Sequence, residues 1–215
     1  STESINLAFS AAGDGHVITT AIEHASVLAC TQQHPHTIVA VDERGRVAPE
    51  AIAQAIQPDT QLVSVGVANN EIGTIQPIRA ISQVVRAERL RRLQEGSIVP
   101  IFLHCDASQG AGQIDINTSS LGVDMLSCNA GKVYGPKQVG LLWASSEVAL
   151  HPTIVGAIKN TVYQAICSFP FLISTQNALF SNSRMLACWW EQVLPVRQTK
   201  IRVVMYLRQL DCRKK

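Results

Sequence analysis

The chain has 215 residues, 47% of them hydrophobic and 16% charged, with a formal net charge of +2. That is enough apolar material for the core of one large domain, and it excludes a disordered tail or a miniprotein. Eighteen basic side chains against sixteen acidic ones create no field that would make nucleic acid or a membrane surface the expected partner.

In chain order, Ser1-Thr2-Glu3 opens the sequence with no lead-in strand, which is the pattern of a piece of something longer. His16–Thr20 is a β-branched run, Glu23–Gln33 reads as helix, Thr37–Val41 as extended chain, and Pro49–Ile56 as a helix with Pro in its first turn. Gln61–Val67 reads as a strand, Pro77–Gln94 as a long helix, and Val99–Asp106, Met125–Cys128 and Gly140–Ala144 as further strands. Strands alternating with helices at this spacing predict an α/β fold, a largely parallel sheet covered on both faces. In the long helix Ile78, Ile81, Val84, Val85 and Leu93 are expected on one buried stripe. Arg86, Arg89, Arg91 and Arg92 are expected on a solvated face near the C-terminal dipole end.

Beyond Gly156 the periodicity is lost. Residues 1–182 carry 10 basic and 14 acidic side chains, and residues 183–215 carry 8 and 2, so the end of the chain differs in character. Six cysteines, Cys30, Cys105, Cys128, Cys167, Cys188 and Cys212, are scattered without C-x-x-C spacing, which predicts a reducing, cytoplasmic compartment. The most apolar stretch, Ile166–Ile173, is far shorter than the roughly 20 residues of a membrane helix.

In open parallel sheets ligands sit beyond the carboxyl ends of the strands. Four strand exits here carry polar groups of different types: Glu23-His24, Asn69-Asn70-Glu71, Asp106-Ala107-Ser108-Gln109, and Asn129-Ala130-Gly131-Lys132. Singly, each has an ordinary structural role as a cap, turn or surface residue. Together they form the rim of a cofactor site. A metal centre fits badly, because His34-Pro35-His36 has no nearby Cys or carboxylate at ligand spacing. Dinucleotide and phosphate-loop glycine patterns are absent, and there is no nucleophile elbow.

Five ordered segments resemble the class V, fold-type I pyridoxal-phosphate enzymes, within them the cysteine desulfurase and selenocysteine lyase group. They are Ser1-Thr2-Glu3-Ser4-Ile5-Asn6-Leu7, Thr20-Ala21-Ile22-Glu23-His24, Ala68-Asn69-Asn70-Glu71-Ile72-Gly73 with Gln76-Pro77-Ile78, His104-Cys105-Asp106-Ala107-Ser108-Gln109, and Gly131-Lys132-Val133-Tyr134-Gly135-Pro136-Lys137 with Gly140. The resemblance runs over residues 1 to about 156. It implies a partial large domain over 1–156, a three-layer sandwich that binds pyridoxal 5'-phosphate, and a divergent segment over 157–215.

By that resemblance Lys132 would bond covalently to the cofactor aldehyde and Asp106 would face the pyridine nitrogen. His24 would stack on the ring and assist proton transfer, and Asn70 and Gln109 would hydrogen-bond the ring oxygen. Thr2, on a loop ahead of a helix, would hold the phosphate with backbone N–H groups. His104 would stand behind this layer. The family usually has Ser and His where this chain has Asn129 and Gly131, so these two would supply the altered part of the phosphate cup. The implied reaction takes L-cysteine to L-alanine and passes sulfur to an enzyme cysteine and then to an acceptor protein, in a homodimer.

No catalytic cysteine is assigned. Cys105 and Cys128, at strand ends, read as small core residues. The family's glycine-rich continuation and small domain are not matched after Gly156. Back-translating Gly156–Ala165 one base earlier permits Gly-Gly-Asn-Gln-Glu-His-Gly-Leu, which suggests a frameshift there. Exposed apolar surface is expected where the missing parts and a second subunit would pack. The alternatives are a selenocysteine lyase, another class V aminotransferase or epimerase, or a non-catalytic remnant.

Overall fold

The structure is a computed structural model that describes residues 1–135 and 139–151 and the backbone of two further strands, 163–167 and 201–207. Eight strands form one sheet: β1 (His16–Thr20), β2 (His36–Val39), β3 (Thr60–Ser64), β4 (Phe102–Asp106), β5 (Met125–Asn129), β6 (Val139–Ala144), β7 (Tyr163–Cys167) and β8 (Ile201–Leu207). The helices are α1 (Thr2–Phe9), α2 (Ala25–Thr31), α3 (Pro49–Ala55), α4 (Ile78–Gln94) and α5 (Thr118–Leu121). The strand order is β2-β1-β3-β4-β5-β6-β8-β7.

The first five strands in that order are parallel, each joined to the next through a crossover. β6 runs antiparallel to β5. Only residues 130–138 separate them, too short a connection for the dozen or more residues that a parallel crossover needs. β8 and β7 extend the antiparallel part. The boundary and frameshift expected at Gly156 fall outside the described residues, although the two strand backbones from the later segment add to this same sheet.

Helices cover both faces because the strands send neighbouring side chains to opposite sides. Val17, Leu62, Met125 and Leu142 pack with Ile5, Leu7 and Phe9 of α1 and Val27 of α2. Ile18, Val63, Leu126 and Leu141 pack with Ile52 of α3 and Ile78, Ile81 and Val85 of α4. These strands are buried on both faces, and their apolar residues are interrupted by buried polar ones, among them His16, Ser64, His104 and Ser127. Each fully buried aliphatic side chain contributes roughly 1.5–3 kcal/mol.

The long helix departs from its predicted faces at its C-terminal end. Leu93, expected in the buried stripe, is 74% exposed, while Arg92, expected in solvent, is 3% exposed. The Arg92 guanidinium donates to the carbonyls of Thr60 (2.8 Å) and Gln57 (2.9 Å), while its Nε donates to Glu88 (2.6 Å). Arg89 donates to Ile101 O and to Asp124, both at 2.8 Å. These two guanidinium groups satisfy carbonyls of the loops that enter β3 and β4, so the predicted solvated face is corrected for Arg89 and Arg92, while Arg86 and Arg91 lie exposed as expected. Ile72, Ile75, Leu90 and Ile98 are exposed apolar side chains. No helix among the described residues is long and apolar enough to cross a membrane.

Candidate functional site

β1 connects to β2 on one side, and the next crossover runs from β2 back past β1 to β3 on the other, so the winding of the chain reverses across β1. The crevice at such a switch point is where an open α/β sheet binds ligands. A cavity opens here at the carboxyl ends of β1, β3, β4 and β5, lined among others by His24, Asn70, Asp106, Gln109, Asn129 and Lys132. Six of the eight side chains expected to contact a cofactor therefore share one space. Thr2 and Gly131 do not line it. Thr2 is the first residue of α1 rather than part of a loop ahead of it, and Ser1, the N-cap, faces the cavity instead.

Local bonds fix the orientation of several groups. His24 is the N-cap of α2, where its Nδ1 accepts the Ser26 N–H at 3.1 Å. A backbone N–H can only donate, so a neutral His24 in this pose carries its proton on Nε2. Asp106 Oδ1 accepts the Ser108 N–H at 3.0 Å, which anchors the carboxylate at the end of β4. Gly131 N–H donates to Asn129 Oδ1 at 3.0 Å, so this donor of the expected phosphate cup is engaged within the chain. Lys132 closes the short 3₁₀ turn 130–132 and is exposed on the rim. That turn is held by Gly135 N–H on Ala130 O (2.9 Å) and places Tyr134 at φ 57°, a left-handed conformation unusual for an aromatic residue.

Beneath the rim, His104 is fully buried and pinned between Ser64 Oγ (Nδ1, 2.9 Å) and Ser127 Oγ (Nε2, 2.8 Å). Desolvation pushes it down to about 4, so it is neutral at pH 7 despite the opposing pull of Asp106. Its position behind Asp106 is the one the sequence suggested. The thiols of Cys105 and Cys128 are buried in the core and pushed up by desolvation, the opposite of what a nucleophile needs.

Sequence reasoning passed over Glu23, Asn69, Gln76 and Ser108 as site residues, and all four line the cavity. Glu23 accepts from Thr20 Oγ1 at 2.6 Å and from Gly66 N–H at 3.0 Å, and desolvation pushes its carboxyl up to about 7. A Cβ at Gly66 would lie 3.0 Å from Glu23 Oε2, so glycine permits this approach. The available signal was an acid next to the strand-exit histidine, three residues after Thr20. Ser108 Oγ is buried with no hydrogen-bond partner among the described residues. Also among those residues, no group of three His, Cys, Asp or Glu side chains could hold a metal.

Residues 1–167 match the family model described as aminotransferase class-V. The chain is 39% identical over 166 residues to cysteine desulfurase IscS 1 of Archaeoglobus fulgidus, covering 72% of this chain and 40% of that protein. It is 38% identical over 150 residues to cysteine desulfurase IscS of Dictyoglomus turgidum, covering 67% and 35%. Among solved structures, a NifS-like protein superposes with a TM-score of 0.65 at 34% identity over 73% of this chain and 43% of that one. A structure described as SspA in complex with cysteine gives 0.65 at 32% identity over 73% and 46%. The chain thus spans 35–40% of the length of these two curated relatives. With its parallel sheet, its rim of strand-exit residues and a match over most of its length, the chain belongs to the class-V aminotransferase family.

Proposed function

We propose that this chain is the cofactor-binding part of a pyridoxal-phosphate-dependent cysteine desulfurase. The observation that carries the reading is the convergence of Asp106 and Lys132, from adjacent strand exits, on one cavity with His24, Asn70 and Gln109. The donor set fits the cofactor: a carboxylate, a primary amine, an imidazole and two amides surround one opening, and the unpartnered Ser108 Oγ supplies a further donor. Lys132, Asp106, His24, Asn70, Gln109 and Asn129 would hold it, while Thr2 and Gly131, expected at the phosphate, lie outside the cavity lining.

Bound there, pyridoxal phosphate supplies an electron sink for a carbanion at the substrate α-carbon. Lys132 Nζ would take the α-proton. Asp106, held by Ser108, would pair with the ring nitrogen through a charge-assisted bond of roughly 1.5–3 kcal/mol. His24, with its proton on Nε2, would donate toward the substrate, and Asn70 and Gln109 would hold the ring oxygen.

The relatives' name, cysteine desulfurase, and the cysteine-bound neighbour support L-cysteine as substrate and removal of its sulfur; alanine as product and passage of the sulfur through an enzyme cysteine to an acceptor protein are added by the family resemblance. Cys105 and Cys128 are unsuited to receive that sulfur, and the receiving cysteine belongs to the proposal without an assigned position. A homodimer and a cytoplasmic setting complete it, the latter supported by the free thiols of Cys30, Cys105 and Cys128. The large domain is taken as 1–156 and the divergent segment as 157–215.

Adding pyridoxal phosphate is expected to produce a visible absorption band, and borohydride reduction followed by peptide mapping is expected to label Lys132. No band at saturating cofactor would instead identify a non-catalytic remnant.

A further inference from the structure

The turn after β1 that carries His24 and the segment after β3 that carries Asn70 come from strands adjacent in the sheet. They are joined by side chains at two points. Glu23 accepts the Gly66 N–H at 3.0 and 3.1 Å on its two oxygens, while Thr20 donates to it from the end of β1. Asn69 Nδ2 donates to Ile22 O at 2.8 Å, and its Oδ1 accepts the N–H groups of Glu71 (2.8 Å) and Ile72 (3.1 Å), closing the turn that contains Asn70. One amide thus serves both loops, and the two ties lie just before the positions from which His24 and Asn70 enter the cavity.

We propose that Glu23 and Asn69 are positioning residues, a two-point brace that sets His24 and Asn70 in fixed relation across the mouth of the site. The inference rests on the pyridoxal-phosphate reading for its purpose, and on the hydrogen bonds alone for its existence. The brace needs acceptor geometry at position 23 rather than charge, because a glutamine there retains an oxygen for Gly66 N–H and an amide for Thr20 Oγ1. At position 69 it needs both ends of the amide. Aspartate keeps the acceptor of the Glu71 and Ile72 turn and removes the donor to Ile22 O.

Asn69→Asp, Glu23→Ala and Glu23→Gln in the full chain are compared by amide hydrogen exchange of residues 20–26 without ligand and by titration with pyridoxal phosphate. Asn69→Asp and Glu23→Ala are expected to speed exchange in that segment several-fold and to weaken cofactor binding about tenfold, while Glu23→Gln exchanges no faster than the parent and keeps its cofactor affinity. That rescue separates positioning from a need for charge. Parental exchange and affinity in Asn69→Asp overturn the brace, and this variant decides alone if Glu23→Ala does not fold. If the parent chain gives no cofactor band, the proposed function fails, and the ligand-free exchange still decides whether the brace exists.

Discussion

Asp106 has one oxygen tied to the Ser108 N–H, so the carboxylate is already oriented before any ligand arrives. Asp106→Asn keeps the shape and removes the charge. In the complete enzyme, turnover is expected to fall about ten- to a hundredfold while cofactor affinity changes less, measured by steady-state kinetics beside absorbance titration. Glu23 shows a different electrostatic balance. Its carboxyl, with an ordinary value of 4.5, is raised to about 7 by desolvation. A raised carboxyl favours the folded state below the unfolded value, and that contribution is lost as pH climbs from about 4.5 through 7. Glu23→Gln is therefore expected to gain about 1–3 kcal/mol over the parent at pH 8 and little at pH 4, read from urea midpoints.

Arg92 at the end of α4 is worth more to the fold than its sequence context suggests. Its fork reaches carbonyls of Thr60 and Gln57 and the carboxylate of Glu88, joining the helix to the loop that enters β3. Arg92→Met should lower stability by about 2–4 kcal/mol, and Arg92→Lys should restore little, because a single ammonium cannot span the same acceptors. Thermal melts of the two variants check this. The strand cores and long helices were legible because periodicity and β-branched runs record burial, and His16–Thr20 is placed residue for residue. Arg92 was not, since a buried guanidinium and a solvated one have the same sequence signature until the carbonyls it meets are known. The antiparallel β6 was legible in its residues and not in its direction, which follows from the short link after β5. At the site, residues with distinctive chemistry after strands were readable. Glu23 and Asn69 were hidden because their work is hydrogen bonding to backbone atoms of a neighbouring strand, which leaves no spacing rule.

Across the molecule, His104 joins β3, β4 and β5 in one buried row through Ser64 and Ser127. Its folded value lies near 4, below the ordinary 6.5, so it contributes stability fully above about 6.5 and loses it as pH falls toward 4. His16, bonded to Thr60 and Thr37 at the other end of the sheet and also lowered by desolvation, acts in the same direction. The acid loss from His104 is expected to be on the order of 3 kcal/mol, and His104→Gln should flatten that part of the stability profile. A last consequence concerns β6, whose side chains serve two cores in strict alternation: Val139, Leu141 and Trp143 on one face, Leu142 and Ala144 on the other. Inserting a single residue within β6, between Leu141 and Leu142, would either spoil the pairing with β5 or turn the side chains that follow to the wrong layer. The length of β6 itself is thereby governed by parity, and natural or engineered insertions within it should be tolerated only in pairs or absorbed as bulges.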